Sequence, residues 1–257
     1  MQLISSDEPQ IFRRSNKRTV IRTFRVNKIA AAILAVSALV LTGAIGFALY
    51  TGKFMTIGAG RLYCAQFSIH ESLAEAQKNA ESLKAAGGAG YIVNDGGFRV
   101  VGGIYKSREE AQSVVDKQAG GAVLYELHIA KVTRPVIDDK TVAAAVKTGF
   151  SLHIRLFDGL YPVMNDLDKG RQSESVLMAA ITAAKSDIEV ERQKLNGYYE
   201  ETGRAEIAAL CGFFDRASVS LTAAETGTTR TLSSRLKYAL AEIAALRARL
   251  SEAVAKL

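Results

Sequence analysis

Residues 98–111 read Phe98-Arg99-Val100-Val101-Gly102-Gly103-Ile104-Tyr105-Lys106-Ser107-Arg108-Glu109-Glu110-Ala111. The first eight alternate as a β-strand does, Phe98 and Val100 on one face and Arg99 and Val101 on the other. Ser107 followed three residues later by Glu110 is a capping-box pattern, and Ala111, Val114, Val115 and Gln118 continue at helical spacing until Gly120-Gly121 stops the run. Upstream, Asn94-Asp95-Gly96-Gly97 has the composition of a hairpin turn, because these residues tolerate positive φ. It joins the strand to a shorter one at Tyr91–Val93. Before that, Ser72 with Glu75 opens a second helical pattern (Leu73, Ala76, Ala80, Leu83) that Gly87, Gly88 and Gly90 end. Leu62–Ser68 and Ala122–Ile129 read as the first and fourth strands.

The order is therefore βαββαβ over residues 61–131, the ferredoxin-like arrangement. Two helices cover one face of such a sheet, and the other face is expected to lie open to solvent or a ligand. With the apolar set turned toward the helices, alternation puts Gln66, Ser68, Arg99 and Val101 on that open face.

The same segment resembles the SPOR domain, a sporulation-related repeat that binds peptidoglycan. The resemblance rests on Tyr63-Cys64-Ala65-Gln66-Phe67, on Phe98 to Tyr105, and on Ser107-Arg108-Glu109-Glu110-Ala111. It implies a non-catalytic module whose exposed sheet face takes glycan strands lacking stem peptides, with Gln66 and Arg99 contributing to that face. It also implies a role in cell division or sporulation. The chain departs from the family at Ser68-Ile69-His70, where a Gly-Ser-Phe-like turn is common, and at Gly97, where some members carry a large aromatic.

Upstream of the sheet, residues Ile29–Tyr50 (IAAAILAVSALVLTGAIGFALY) are 22 in number and carry no charge. A helix of that length spans roughly 33 Å, enough for a hydrocarbon core of about 30 Å. Residues 1–28 hold seven Lys and Arg against Asp7 and Glu8, so 7 − 2 = +5 of the net +7 precedes the apolar run. Basic flanking charge of this kind predicts a cytoplasmic N-terminus and an uncleaved single-pass anchor in the inner (cytoplasmic) membrane. A cleaved signal peptide would have a shorter apolar region. The lipid bilayer is thus one expected partner. A nucleic acid is not, because the positive charge stops where the membrane begins. Residues 51–60 are read as a linker of at most about 35 Å.

Residues 132–257 change to helical spacing. Asp138–Thr141 offers a cap; Val142, Val146, Phe150, Ile154, Phe157 and Leu160 follow, and Pro162 is expected to end that helix. Leu177 to Tyr199 and Ile207 to Leu221 form further stripes. Leu232, Leu236, Leu240, Ile243, Leu246, Leu250, Val254 and Leu257 recur at near-heptad spacing. An antiparallel helical bundle is expected. A last helix that binds a protein partner or a second copy is the alternative, and with it comes the competing functional reading of a membrane-anchored scaffold. The expected fold class is therefore α+β: one transmembrane helix, a βαββαβ domain and an all-α bundle.

No enzyme is expected. His70, His128 and His153 have no metal-ligand spacing, and nucleophile-elbow, zincin and P-loop motifs do not occur. No cofactor is implied. Cys64 and Cys211 are read as small core residues rather than as a disulfide.

Overall fold

The computed structural model describes residues 54–57, 59–118, 121–135, 139–228 and 231–256. The expected transmembrane helix 29–50 and the basic tail lie outside them. Within these residues the chain is α+β, with six helices and a four-stranded antiparallel sheet. The elements are β1 (Phe54–Ile57), β2 (Gly60–His70), α1 (Leu73–Ala85), β3 (Tyr91–Asn94), β4 (Phe98–Tyr105), α2 (Arg108–Lys117), β5 (Val123–Ile129) and β6 (Val132–Pro135). Helices α3 (Lys140–Asp168), α4 (Glu174–Thr202), α5 (Ala205–Thr226) and α6 (Leu232–Lys256) follow.

The main sheet has the order β3-β4-β2-β5, and β1 and β6 form a separate two-stranded ribbon. Strand β1 falls inside the segment read as a linker. The caps form where the spacing places them. The Ser72 hydroxyl accepts from the Glu75 amide at 3.2 Å, and the Ser107 hydroxyl from the Glu110 amide at 3.1 Å. Asp139 Oδ1 accepts from the amides of Thr141 and Val142 and so starts α3.

Helix α3 continues through Pro162 to Asp168. A proline inside a helix leaves the carbonyl four residues back without its donor. That carbonyl belongs to Asp158, and the Lys106 ammonium, reaching over from the end of β4, lies 3.5 Å from it. Helix α4 ends at Gly203, which adopts φ 61°, a left-handed conformation that suits glycine.

The sheet is covered on both sides. Helices α1 and α2 lie on one face, where Ala76, Ala80 and Val100 form a small core. Helix α6 lies across the other. Its Tyr238 meets Tyr91 edge-on at 5.3 Å, and one continuous core joins Leu62, Cys64, Val101, Leu127 and Ile129 of the sheet to the bundle. The face expected to be open is thus largely closed by the chain's own last helix. The physical reason is the content of α6. Besides the leucine stripe, Ala239, Ala241, Ala244, Ala245 and Ala248 are also buried, so this helix is apolar on more than one side. A helix of that kind belongs in a core. The near-heptad stripe from Leu232 to Val254 is buried inside this chain.

One described helix, α5, is long and apolar enough to cross a membrane by length and composition. In the fold it serves as a bundle helix, with Ile207, Leu210, Phe214, Ala217 and Leu221 wholly buried. Cys64 and Cys211 are buried free thiols, and burial pushes the Cys64 thiol up to about 12.

Candidate functional site

The part of the sheet face that α6 leaves uncovered is the end of β2, β4 and β5 near the β3–β4 turn. Two ladders place its residues. Gln66 on β2 stands opposite Val123 on β5, and Cys64 opposite Tyr125, so Gln66, Val123 and Tyr125 share one face. On β4, Val101 pairs with Tyr91 and Arg99 with Val93, which sets Arg99 and Val101 on the face of Tyr91.

Four side chains form a continuous network there. Arg99 Nη1 donates to Gln66 Oε1 at 2.9 Å. The Arg99 guanidinium carbon lies 4.9 Å from the centre of the Tyr125 ring, within cation–π distance. The Tyr125 hydroxyl donates to Asp95 Oδ2 at 2.8 Å. Burial, and then the hydrogen bond to Asp95, raise the Tyr125 phenol well above its usual range, so it remains a neutral donor. Gln66 is 7 % exposed while Val123 beside it is 50 % exposed, so the network forms a shallow floor with an apolar rim. Arg99 Nε is buried with no hydrogen-bond partner.

Of the residues the sequence singles out, Gln66 and Arg99 are in direct contact. Val101 is on the predicted face but is 0 % exposed, sealed beneath α6, and cannot touch a ligand. Ser68 is on the opposite face. The β2–β4 register slips between Gln66 and Ser68, so Ser68 stands opposite Val100, a residue of the α1-side core. A bulge of this kind inserts one extra residue and reverses the alternation beyond it. The Ser68 hydroxyl instead meets His70 Nε2 at 3.0 Å, and Asn79 of α1 reaches the same nitrogen at 2.7 Å.

Tyr125 and Asp95 are the members that strand alternation misses. Tyr125 supplies an aromatic face from the fourth strand rather than the third. Only the β2–β5 register reveals that it lies beside Gln66.

Chemically, the site offers a guanidinium, an amide, a neutral phenol and an aromatic ring within cation–π distance of the guanidinium. These groups bind hydroxyl and amide groups. They do not make a nucleophile–base pair, and among the described residues no group of His, Cys, Asp and Glu is placed to hold a metal. Comparisons with protein-family models, with curated proteins and with solved structures find no match.

Proposed function

We propose that this chain is a single-pass inner-membrane protein, anchored by residues 29–50 with its N-terminus in the cytoplasm. In this reading residues 61–131 are a ferredoxin-like, SPOR-type module that binds peptidoglycan glycan strands without catalysis, in cell division or sporulation. The observation that carries it is the Arg99–Gln66 pair lying against Tyr125 on the uncovered end of the sheet. Sugars present hydroxyls and acetamido groups to polar donors and flat C–H faces to rings, and this site has both. Of the face first assigned to glycan, Gln66 and Arg99 keep the role, joined by Tyr125. The test is co-sedimentation of the full chain, in detergent, with purified peptidoglycan. Gln66→Ala combined with Arg99→Ala is expected to abolish pelleting. If the unaltered chain never pellets, the reading fails.

A scaffold reading is favoured by a different observation, the burial of the rest of the sheet face under α6. In that reading the sheet is a structural platform and protein partners, or a second copy, dock on the helices. Self-association in sedimentation velocity, with no glycan pelleting, would select it.

A further inference from the structure

We infer that a second site, distinct from the sheet face, binds a phosphate-type oxyanion at the junction of α1, α5 and α6. A cavity of about 220 Å³ opens there between Lys84 at the end of α1, Ser220 and Gly227 near the end of α5, and Arg235 and Tyr238 on α6.

Two features of its wall point to an anion. First, Ser220 is 5 % exposed, and its buried hydroxyl has no hydrogen-bond partner. Buried hydroxyls almost always find one, and this one lines the cavity. Second, two cations are held at the cavity by contacts that fix their position. The Lys84 ammonium lies 4.6 Å from the centre of the Tyr238 ring and 3.0 Å from Glu81 Oε1, on a side chain only 17 % exposed. Arg235 Nε donates to the Ala224 carbonyl at 2.8 Å, which anchors the guanidinium over the last turn of α5. A Cβ at Gly227 would come within 2.5 Å of Arg235 Cδ, so the glycine keeps that path clear.

Among the described residues no carboxylate lines the cavity. Of the nearby acids, Glu225 is held by Lys185 and Glu242 by Arg216, while Glu81 is held by Lys84, so an anion in the cavity shares that ammonium with Glu81. The Ser234 hydroxyl is spent on the Gly88 carbonyl and forms wall rather than ligand. Two cations and a lone hydroxyl around a space of this size match a small tetrahedral oxyanion, either free phosphate or the phosphoryl end of a larger molecule.

The test is calorimetric titration of the full chain, in detergent and at constant ionic strength, with inorganic phosphate and separately with glycerol phosphate; chloride serves as control. Saturable binding of either phosphate is expected, and the better of the two identifies the source of the group. Ser220→Ala is expected to weaken binding roughly tenfold, the usual effect of one hydrogen bond to a charged group. Lys84→Gln should weaken it at least as much, while Lys194→Gln, on the exposed side of α4, leaves it unchanged. Ser220→Ala removes a hydroxyl without a partner, so its melting temperature should not fall. Absence of saturable binding, or equal binding by the unaltered chain and both cavity variants, overturns the inference. Neither result bears on the glycan reading, because the two sites share no residue.

Discussion

The Lys106 ammonium sits 3.5 Å from the main-chain oxygen of Asp158 and 2.8 Å from the carboxylate of the same residue. One side chain from the end of β4 thus answers both the carbonyl that Pro162 deprives of its helical donor and the charge beside it. Nearby, the Tyr161 hydroxyl donates to Glu110 Oε2 at 2.7 Å, so the proline turn of α3 is fastened to the start of α2. Lys106→Met should destabilise the protein by about 1 kcal/mol, the usual net worth of such a contact when both groups are partly exposed. In a Pro162→Ala background the carbonyl regains its amide donor, and the same substitution should cost only a few tenths. Urea denaturation of the four proteins measures this. Equal costs in the two backgrounds would reduce the contact to a surface ion pair.

A second prediction follows from the placement of Val101 and Val123 on one face, the first under α6 and the second at its open end. Val101→Asp buries a carboxylate among Tyr91, Ile104 and the bundle, and should cost at least about 3 kcal/mol or prevent folding. Val123→Asp, on a half-exposed side chain, should stay within about 1 kcal/mol. Thermal melting by circular dichroism separates them. Similar losses at both positions would mean that α6 does not cover the sheet as described.

These two valines also show what the sequence can and cannot convey. Local signals are legible: Ser72 and Ser107 cap their helices as spacing alone dictates, and Asn94–Gly97 makes the turn. Gln66 and Arg99 are also legible on one face, because β2 keeps its alternation against β5 as far as Gln66. Beyond that the bulge before Ser68 reverses the faces, and bulges leave no clear mark in a single strand's pattern. The closing of the face by α6 is hidden for another reason. The leucine stripe shows one apolar side, and the alanines between its members are too small to stand out, yet their smallness is what lets neighbours approach closely. The carbonyl that Pro162 frees in α3 is met by Lys106, which is 56 residues away from the proline in sequence, so no local rule contains that contact.

A third prediction concerns Tyr125. Tyr125→Phe keeps the ring under Arg99 and removes only the bond to exposed Asp95, so stability should change by less than about 1 kcal/mol. Tyr125→Ala removes the ring as well and should lower glycan pelleting as far as Arg99→Ala does. If Tyr125→Ala pelleted like the unaltered chain while Arg99→Ala did not, the aromatic platform would have no part in binding.

The last prediction rests on His153. This side chain is fully buried in the bundle, with the rings of Phe150 and Phe213 meeting it edge-on at 5.6 and 5.5 Å. Nδ1 is bonded to the Phe150 carbonyl, and Nε2 is buried without a partner. A proton on Nε2 would place an unpaired charge in the core, so burial, aided by the charge of Arg247, lowers the imidazole to about 4. Above pH 6.5 both folded and unfolded chains hold it neutral, and stability is unaffected. Between pH 6.5 and 4 the unfolded chain takes up a proton that the folded one refuses, so stability falls, by up to about 1.4 kcal/mol per pH unit and about 3 kcal/mol in all. Asp187 and Glu191, whose carboxyls burial pushes up, act in the opposite direction as pH falls. The measured total is therefore a difference. Comparing urea unfolding of the unaltered chain and of His153→Met at pH 7.5, 6, 5 and 4 isolates the histidine. The variant should lose less stability than the unaltered chain over this range, with most of the gap opening below pH 6.5. Parallel pH profiles for the two proteins would mean that His153 takes up its proton in the folded state as readily as in the unfolded chain.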